Sequence, residues 1–387
     1  MNSPEMTVIH ILMDEPKFFH RIREIFTQPS LVNTWKVFND SGTNSTWSTN
    51  NVDVHLFQDI NSSAAQSLLI EEITDHDICF FHYFDIRYIP LFLEVHHKIC
   101  TILQFWGGDY SPHIISPTRL YSKKTYAHCI QPFSKTKNWP TPFARLYHYM
   151  KWKVNKSRTE YSSTIRSAFH CGFELKTTEV EYFQIPVRSR SSLTIPYSID
   201  LNQHQTFSIK KINDPGILLG NSATSTNCHI EAIDALQEHQ ENYKFVLLPL
   251  SYGELNVQQK IADYALKTLG KKALPLHEFM PSKDYFALLD NCEFIIMNHI
   301  RQQGLGNTLW GIANGRTIYL NPRGVTFQAL TQYGFKIQSV DSILTQGLRT
   351  LNPQEKNINR ELLNSYYPNL NNLSSQLEEL INQWRDQ

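Results

Sequence analysis

The sequence lacks a cysteine pair. Its six cysteines, at 79, 100, 129, 171, 228 and 292, are scattered without a single C-x-x-C. That excludes a disulfide frame and a cysteine-rich zinc site, and leaves reduced thiols. No apolar run approaches the roughly 18 residues that a spanning helix needs. The stretch Val8 to Met13 runs straight into Asp14-Glu15 and does not read as a signal peptide. Lys+Arg and Asp+Glu both number 36, so no global charge points to nucleic acid. The first strand is not followed by Gly-x-Gly-x-x-Gly, and no Tyr-x-x-x-Lys stands in a suitable place, so an epimerase has no support. These absences leave a cytosolic protein, or one attached to a membrane from the cytosolic side.

What is present is a globular composition, 41% hydrophobic and 19% charged, over 387 residues. That length calls for two domains. Thr7 to Leu12, Val52 to Phe57, Asp77 to Phe84 and Cys100 to Trp106 read as strands, with helices over Phe18 to Phe26, Ala64 to Ile73 and Leu91 to Lys98. The alternation restarts at Gly216, so the spacing predicts a first domain over 1–200, a linker over 201–215 and a second domain over 216–360. Ser374 to Trp384 is an amphipathic helix in a tail, 361–387, long enough to cross back to the first domain. The expected class is α/β, two doubly wound Rossmann-like domains facing a cleft.

Ligands of such sheets sit at the carboxyl ends of the strands, so candidate residues are those just after strands. Gly220-Asn221-Ser222 with Asn227 suits a phosphate or a sugar hydroxyl, and Tyr252 could stack on a base. The loop Arg301-Gln302-Gln303-Gly304-Leu305-Gly306, with Asn307 capping the next helix, offers backbone N–H groups, a helix N-terminus and a bidentate cation to an anion. In the first domain, Trp106-Gly-Gly-Asp109 ends a strand, and Asp109 could deprotonate an attacking hydroxyl. His10 and His82 stand behind it in rank.

One compositional absence remains. Tyr110 to Thr159 contains no Asp or Glu against ten Lys and Arg, interleaved with aromatic residues. Basic residues seek anionic headgroups, and Trp and Tyr prefer the interface. Residues 110–159 therefore predict contact with an anionic membrane surface, rather than with nucleic acid or as a merely solvated basic face.

The patches GILLGNSATSTNCHIEAIDAL and IRQQGLGNTLWGIANGRTIYLN resemble the 4-acetamido-4,6-dideoxygalactose (Fuc4NAc) transferases of enterobacterial common antigen synthesis, glycosyltransferase family 56. Ile9-His10, Phe80-Phe81-His82 and Trp106-Gly-x-Asp109 are similar too. The region after the first strand, Met-Asp-Glu-Pro, departs from the family's small Gly/Ser loop. The resemblance implies a GT-B architecture and a dTDP- or UDP-sugar held mainly by the second domain. It also implies a polyprenyl-diphosphate-linked acceptor on the cytoplasmic side of the bacterial inner membrane, with no metal or other cofactor at the diphosphate. In those terms Arg301 and Asp109 are the expected catalytic residues. Gly220, Asn221, Ser222, Asn227, Tyr252, Gln302, Gln303, Gly304, Gly306 and Asn307 are the expected donor-binding residues. His10, His82 and Trp106 lie on the acceptor side. If transfer inverts the sugar, Asp109 is the base; if it retains, Asp109 orients the acceptor. A non-catalytic binder of a nucleotide sugar or glycan lipid is the alternative.

Overall fold

The computed structural model describes residues 6–40, 52–130, 141–165, 169–172, 189–194, 215–366, 377 and 379. The chain divides into two compact units. The first is built on seven strands: β1 (Met6–Met13), β2 (Leu31–Asn39), β3 (Val52–Leu56), β4 (Ile78–His82), β5 (Cys100–Gln104), β6 (Phe169–Gly172) and β7 (Ser189–Thr194). All pair in parallel, in the order β3-β2-β1-β4-β5-β6-β7. β4 is buried along its whole length, as its unbroken apolar run Ile78 to Phe81 requires of a central strand.

β2 has no counterpart among the strands expected from sequence. Its residues LVNTWKVFN do not alternate, because the second half is buried on both faces. That burial includes Lys36, which is held by Asp53 and Glu72.

The second unit repeats the plan with β8 (Gly216–Leu219), β9 (Val246–Pro249), β10 (Ala273–Leu276), β11 (Cys292–Met297), β12 (Thr317–Leu320) and β13 (Gln338–Ser339). The order is β10-β9-β8-β11-β12-β13, again all parallel. β8, β9, β11 and β12 are fully buried, and Ile217, Leu219, Val246, Leu248, Phe294 and Ile296 join the helices 229–237 and 255–269 in one core. Strand order reverses between β1 and β4 in one unit and between β8 and β11 in the other. Those two points are where an open parallel sheet leaves a crevice at its carboxyl end.

One domain assignment differs from expectation. Ser116–Trp152 groups with the second unit, not the first, while Pro368–Gln387 groups with the first. Leu377, in the tail, is buried in the core of the first unit beside Val8 and Phe80. The linker at 201–214 and most of Ser374 to Trp384 lie outside the described residues.

Segment 116–152 belongs with the second unit for a plain reason. Its backbone N–H groups at Lys124 and Thr125 donate to Glu231 Oε1 at 2.7 and 3.1 Å, and Thr125 Oγ1 donates to Glu231 Oε2 at 2.6 Å. Lys124 pairs with Asp234, and Cys129 enters the second unit's core. The segment without acidic residues is thus seated partly on two acids of helix His229–Gln237.

Candidate active site

In the second unit the switch point is formed by the loops after β8 and β11. β8 is followed by Gly220, whose φ of +72° is open to glycine and costly to other residues. A side chain there would also strike the ring of His229, since an added Cβ would lie 2.4 Å from its Nε2. The loop that follows is held by Asn227. Its Oδ1 accepts from Asn221 N at 3.2 Å, and its Nδ2 donates to Ser222 O at 2.9 Å and to Thr224 Oγ1 at 3.0 Å. Asn227 therefore folds the loop and does not cap the helix, whose N-cap is Cys228 in left-handed conformation at φ +50°. The strained Cys228 peptide is gripped by Asn298, whose Nδ2 donates to Cys228 O at 2.8 Å, and Asn298 is held in turn by Asn321.

The loop after β11 meets this one directly. Gln303 Nε2 donates to Asn221 Oδ1 at 2.9 Å and to Thr224 Oγ1 at 3.0 Å, while its Oε1 accepts from Thr226 Oγ1 at 2.7 Å. Gly304 caps the next helix, Leu305–Ala313, at φ +60°, with Asn221 packed against its bare Cα. The helix starts at Leu305, so Gly306 and Asn307 lie in its first turn and Asn307 is not the cap. Asn307 bonds the Tyr285 side chain instead. Tyr252, 47% exposed in the loop after β9, receives a hydrogen bond from Asn221 Nδ2 at 2.8 Å on its hydroxyl, which fixes an open aromatic face beside the loop.

Arg301 sits at the rim of the same loop. Its Nη1 donates to Gln302 O at 3.0 Å, its Nε is buried with no hydrogen-bond partner, and no carboxylate pairs with it among the described residues. Gln302 is buried beside it. An arginine fixed at its stem and unneutralised at its fork is set to receive an anion. Two buried histidines back the loops. Burial lowers the pKa of His229 to about 4; burial and then Arg301 lower that of His299 to about 3, so both rings are neutral.

The first unit treats its expected residues differently. Asp109 is almost fully buried, and its oxygens accept from the backbone N–H groups of Phe84 (3.1 Å), Trp106 (3.2 Å), Gly107 (3.0 Å) and Tyr110 (3.0 Å). Burial pushes its pKa up to about 7, opposed by those N–H donors of Trp106, Tyr110 and Phe84. With both oxygens turned into the loop, Asp109 is a clamp joining the ends of β4 and β5, a geometry unsuited to taking a proton from a substrate hydroxyl. His10 and His82 are also fully buried. His10 Nδ1 and His82 Nε2 share a hydrogen bond of 2.9 Å, His82 Nδ1 meets Gln104 Oε1 at 2.5 Å, and His10 Nε2 meets Asn33 at 2.9 Å. His10 stacks on Trp35 at 3.9 Å. Burial first, then their mutual charge in the case of His10, keeps them neutral, with His82 lowered to about 4. They form a core chain and have no surface to offer an acceptor. Trp106 packs edge-on against Phe18 and Tyr83.

The sequence profile of the family described as 4-alpha-L-fucosyltransferase, glycosyl transferase group 56, matches residues 176–378, more than half of the chain. The chain belongs to glycosyl transferase group 56. As a group 56 member it is a glycosyltransferase, and the non-catalytic alternative gives way. No curated protein matches it in sequence. Among solved structures, Anabaena Alr3699/HepE in complex with UDP and glucose is similar, with a TM-score of 0.64 at 10% identity over 98% of this chain and 100% of that one. The Escherichia coli trehalose-6-phosphate protein bound with UDP-2-fluoro glucose gives a TM-score of 0.61 at 10% identity over 98% and 99%. The N-terminal domain of Candida albicans trehalose-6-phosphate phosphatase gives 0.64 at 10% identity over 99% and 98%. At such identity the likeness is one of fold, and that fold is GT-B.

Several residues of the candidate site escaped sequence reasoning. Asn298 directly follows β11, so the carboxyl-end rule covers it. Thr224 and Thr226 carry a signal in their alternation with Ser222. His229 was visible only as part of the Asn-x-His patch. Among the described residues no group of three or more His, Cys, Asp or Glu converges, and no helix is long and apolar enough to cross a membrane.

Proposed function

We propose that this transferase moves Fuc4NAc, or a closely similar dideoxy-acetamido sugar, from a dTDP- or UDP-sugar to a polyprenyl-diphosphate-linked glycan at the cytoplasmic face of the bacterial inner membrane. The observation that carries the donor half is the carboxylate-free meeting of Gly220–Thr226 with Arg301–Gly304, centred on Gln303. Bond breaking at the sugar carbon leaves negative charge on the nucleoside diphosphate. Arg301 and the N–H groups of the helix that starts after Gly304 would stabilise that charge where it develops, and the reading assigns no metal. Tyr252 would face the nucleoside.

The membrane half is supported by helix Thr141–Lys153. Phe143, Leu146, Tyr147 and Met150, followed by Val154, are exposed at helical spacing on one side of a segment that carries only positive charge. The resemblance supplies the sugar and the acceptor class.

The test is release of nucleoside diphosphate from a panel of UDP- and dTDP-sugars, including dTDP-Fuc4NAc, with and without bacterial membrane lipid extract. Release that requires both dTDP-Fuc4NAc and the extract is the expected result. Release indifferent to the extract would remove the lipid-linked acceptor, and release only from another sugar would replace Fuc4NAc.

A further inference from the structure

Helix Thr141–Lys153 has a second face. Ala144 is buried, and Arg145 turns inward, its Nη2 donating to Thr118 O at 2.7 Å and its guanidinium carbon 5.1 Å from the centre of the Tyr126 ring. At 3.6 residues per turn, the exposed Phe143, Leu146, Tyr147 and Met150 fall on the opposite side. Arg145 Nη1 is buried with no hydrogen-bond partner, and no carboxylate pairs with the side chain among the described residues.

A second arginine comes from the loop after β12. Arg323 is exposed, its backbone N–H donates to Asn321 Oδ1 at 3.0 Å, and no carboxylate pairs with its side chain among the described residues. A run of short contacts joins it to the Arg145 segment. Asn321 Nδ2 donates to Asn298 Oδ1 at 3.0 Å, Asn298 Nδ2 to Cys228 O at 2.8 Å, and Ser122 N to Cys228 Sγ at 3.4 Å. The two charges feel each other: burial lowers the Arg145 pKa, and Arg323 lowers it further against the opposing effect of Tyr126. Like charges gathered without a counter-ion among the described residues, one with an N–H lacking an acceptor, are an incomplete set that an anion completes.

We propose that Arg145 and Arg323 hold the diphosphate of the lipid-linked substrate, beside the Arg301 loop, against which the loop of Arg323 packs through Val325 N to Ile300 O at 3.0 Å. The inference rests on the lipid-linked acceptor of the proposed function. One helix then meets an anion with its inner face and an apolar phase with its outer face. An isoprenoid diphosphate needs both, whereas a nucleoside diphosphate has no use for the apolar stripe.

The experiment is calorimetric titration of the full chain with two probes, farnesyl diphosphate and dTDP, in wild type, Arg323→Gln, Arg145→Gln and Arg145→Lys. Arg323→Gln and Arg145→Gln should each weaken farnesyl diphosphate at least tenfold and leave dTDP within twofold. Arg145→Lys, which keeps the charge and loses the fork, should fall between. Arg323 is exposed, so its variant keeps the test valid even if Arg145→Gln fails to fold, and thermal unfolding of each variant reads that directly. Wild type that does not bind farnesyl diphosphate, or variants that bind it unchanged, overturn the site. A loss that falls on dTDP instead also overturns it and gives the pair to the donor. Binding of dTDP by wild type judges the donor reading independently of both arginines.

Discussion

Gln303 Nε2 donates to Asn221 Oδ1 across 2.9 Å, and this bond ties the loop after β11 to the loop after β8 at the point where the strand order reverses. The same amide also serves Thr224 and Thr226. Gln303→Ala should therefore cost about 1–3 kcal/mol of stability, the range for leaving buried polar partners unmade. It should also weaken nucleoside diphosphate by roughly tenfold, since 1.4 kcal/mol is one decade in affinity. Urea unfolding and calorimetry read the two losses apart. Unchanged affinity in a destabilised variant would make Gln303 a bracket alone.

Arg301→Ala should lower turnover by about two to three orders of magnitude, the usual effect of removing one stabiliser of developing charge. Its side chain makes one backbone hydrogen bond and no ion pair among the described residues, so the melting temperature should hardly move. A variant with near-normal transfer would take Arg301 out of the chemistry.

Gly220→Ala places a Cβ at a φ of +72° and 2.4 Å from His229 Nε2. The backbone strain alone is about 1–2 kcal/mol, and the clash adds to it. Gly334→Ala is the control, at φ +90° with only Leu362 Cδ1 near the new Cβ, at an ordinary 3.7 Å, and should show the strain without the clash. Equal destabilisation of the two variants would mean that the His229 ring yields freely.

Asp109→Ala removes the acceptor for four backbone N–H groups. A loss of about 3 kcal/mol or more is expected. Asp109→Asn, which retains one acceptor oxygen, should recover part of that stability and a corresponding part of the activity. A fully stable, inactive Asp109→Asn would restore Asp109 as a base.

Stability should fall on the acid side. His10, His82, His229 and His299 all have folded pKa values below the ordinary 6.5, with His82 and His229 at about 4 and His299 at about 3. The unfolded chain takes up their protons first, so the stability they confer is complete above about pH 7. It drains between 6.5 and about 4, at up to about 1.4 kcal/mol per pH unit for each ring. Asp109, raised to about 7, acts in the opposite sense and loses its contribution as pH rises toward 7, one group against four. Denaturant midpoints at pH 5.0 and 7.5 check the sign. Equal midpoints would mean that the rings find proton partners in the folded state.

The sheets were legible because β4, β8, β11 and β12 carry short apolar runs, the mark of strands covered on both faces. β2 was hidden by its polar residues, above all Lys36, whose burial depends on acids distant in sequence. The donor-side residues could be read because the carboxyl-end rule names loops. It cannot say which side chains in a loop turn outward, and so Asp109, His82 and Arg301 looked alike. What separates them is partner count: Asp109 and His82 are satisfied by neighbours that only folding supplies, and Arg301 is not. The place of segment 116–152 was illegible for the same reason, since Glu231 and Asp234, which hold it, lie about a hundred residues downstream.

The path of that segment bears on how proteins of this kind can be recombined. The chain passes between units four times, after residues 115, 152, 198 and 367. A chimaera spliced at a single junction near residue 200 would therefore graft a helix 229–237 from one parent onto a 116–152 piece from another. Glu231 and Asp234 would meet foreign partners for Thr125 and Lys124, and Cys228 would lose its fit to Ser122. Exchange of donor preference between relatives requires both pieces to travel together, as a discontinuous cassette.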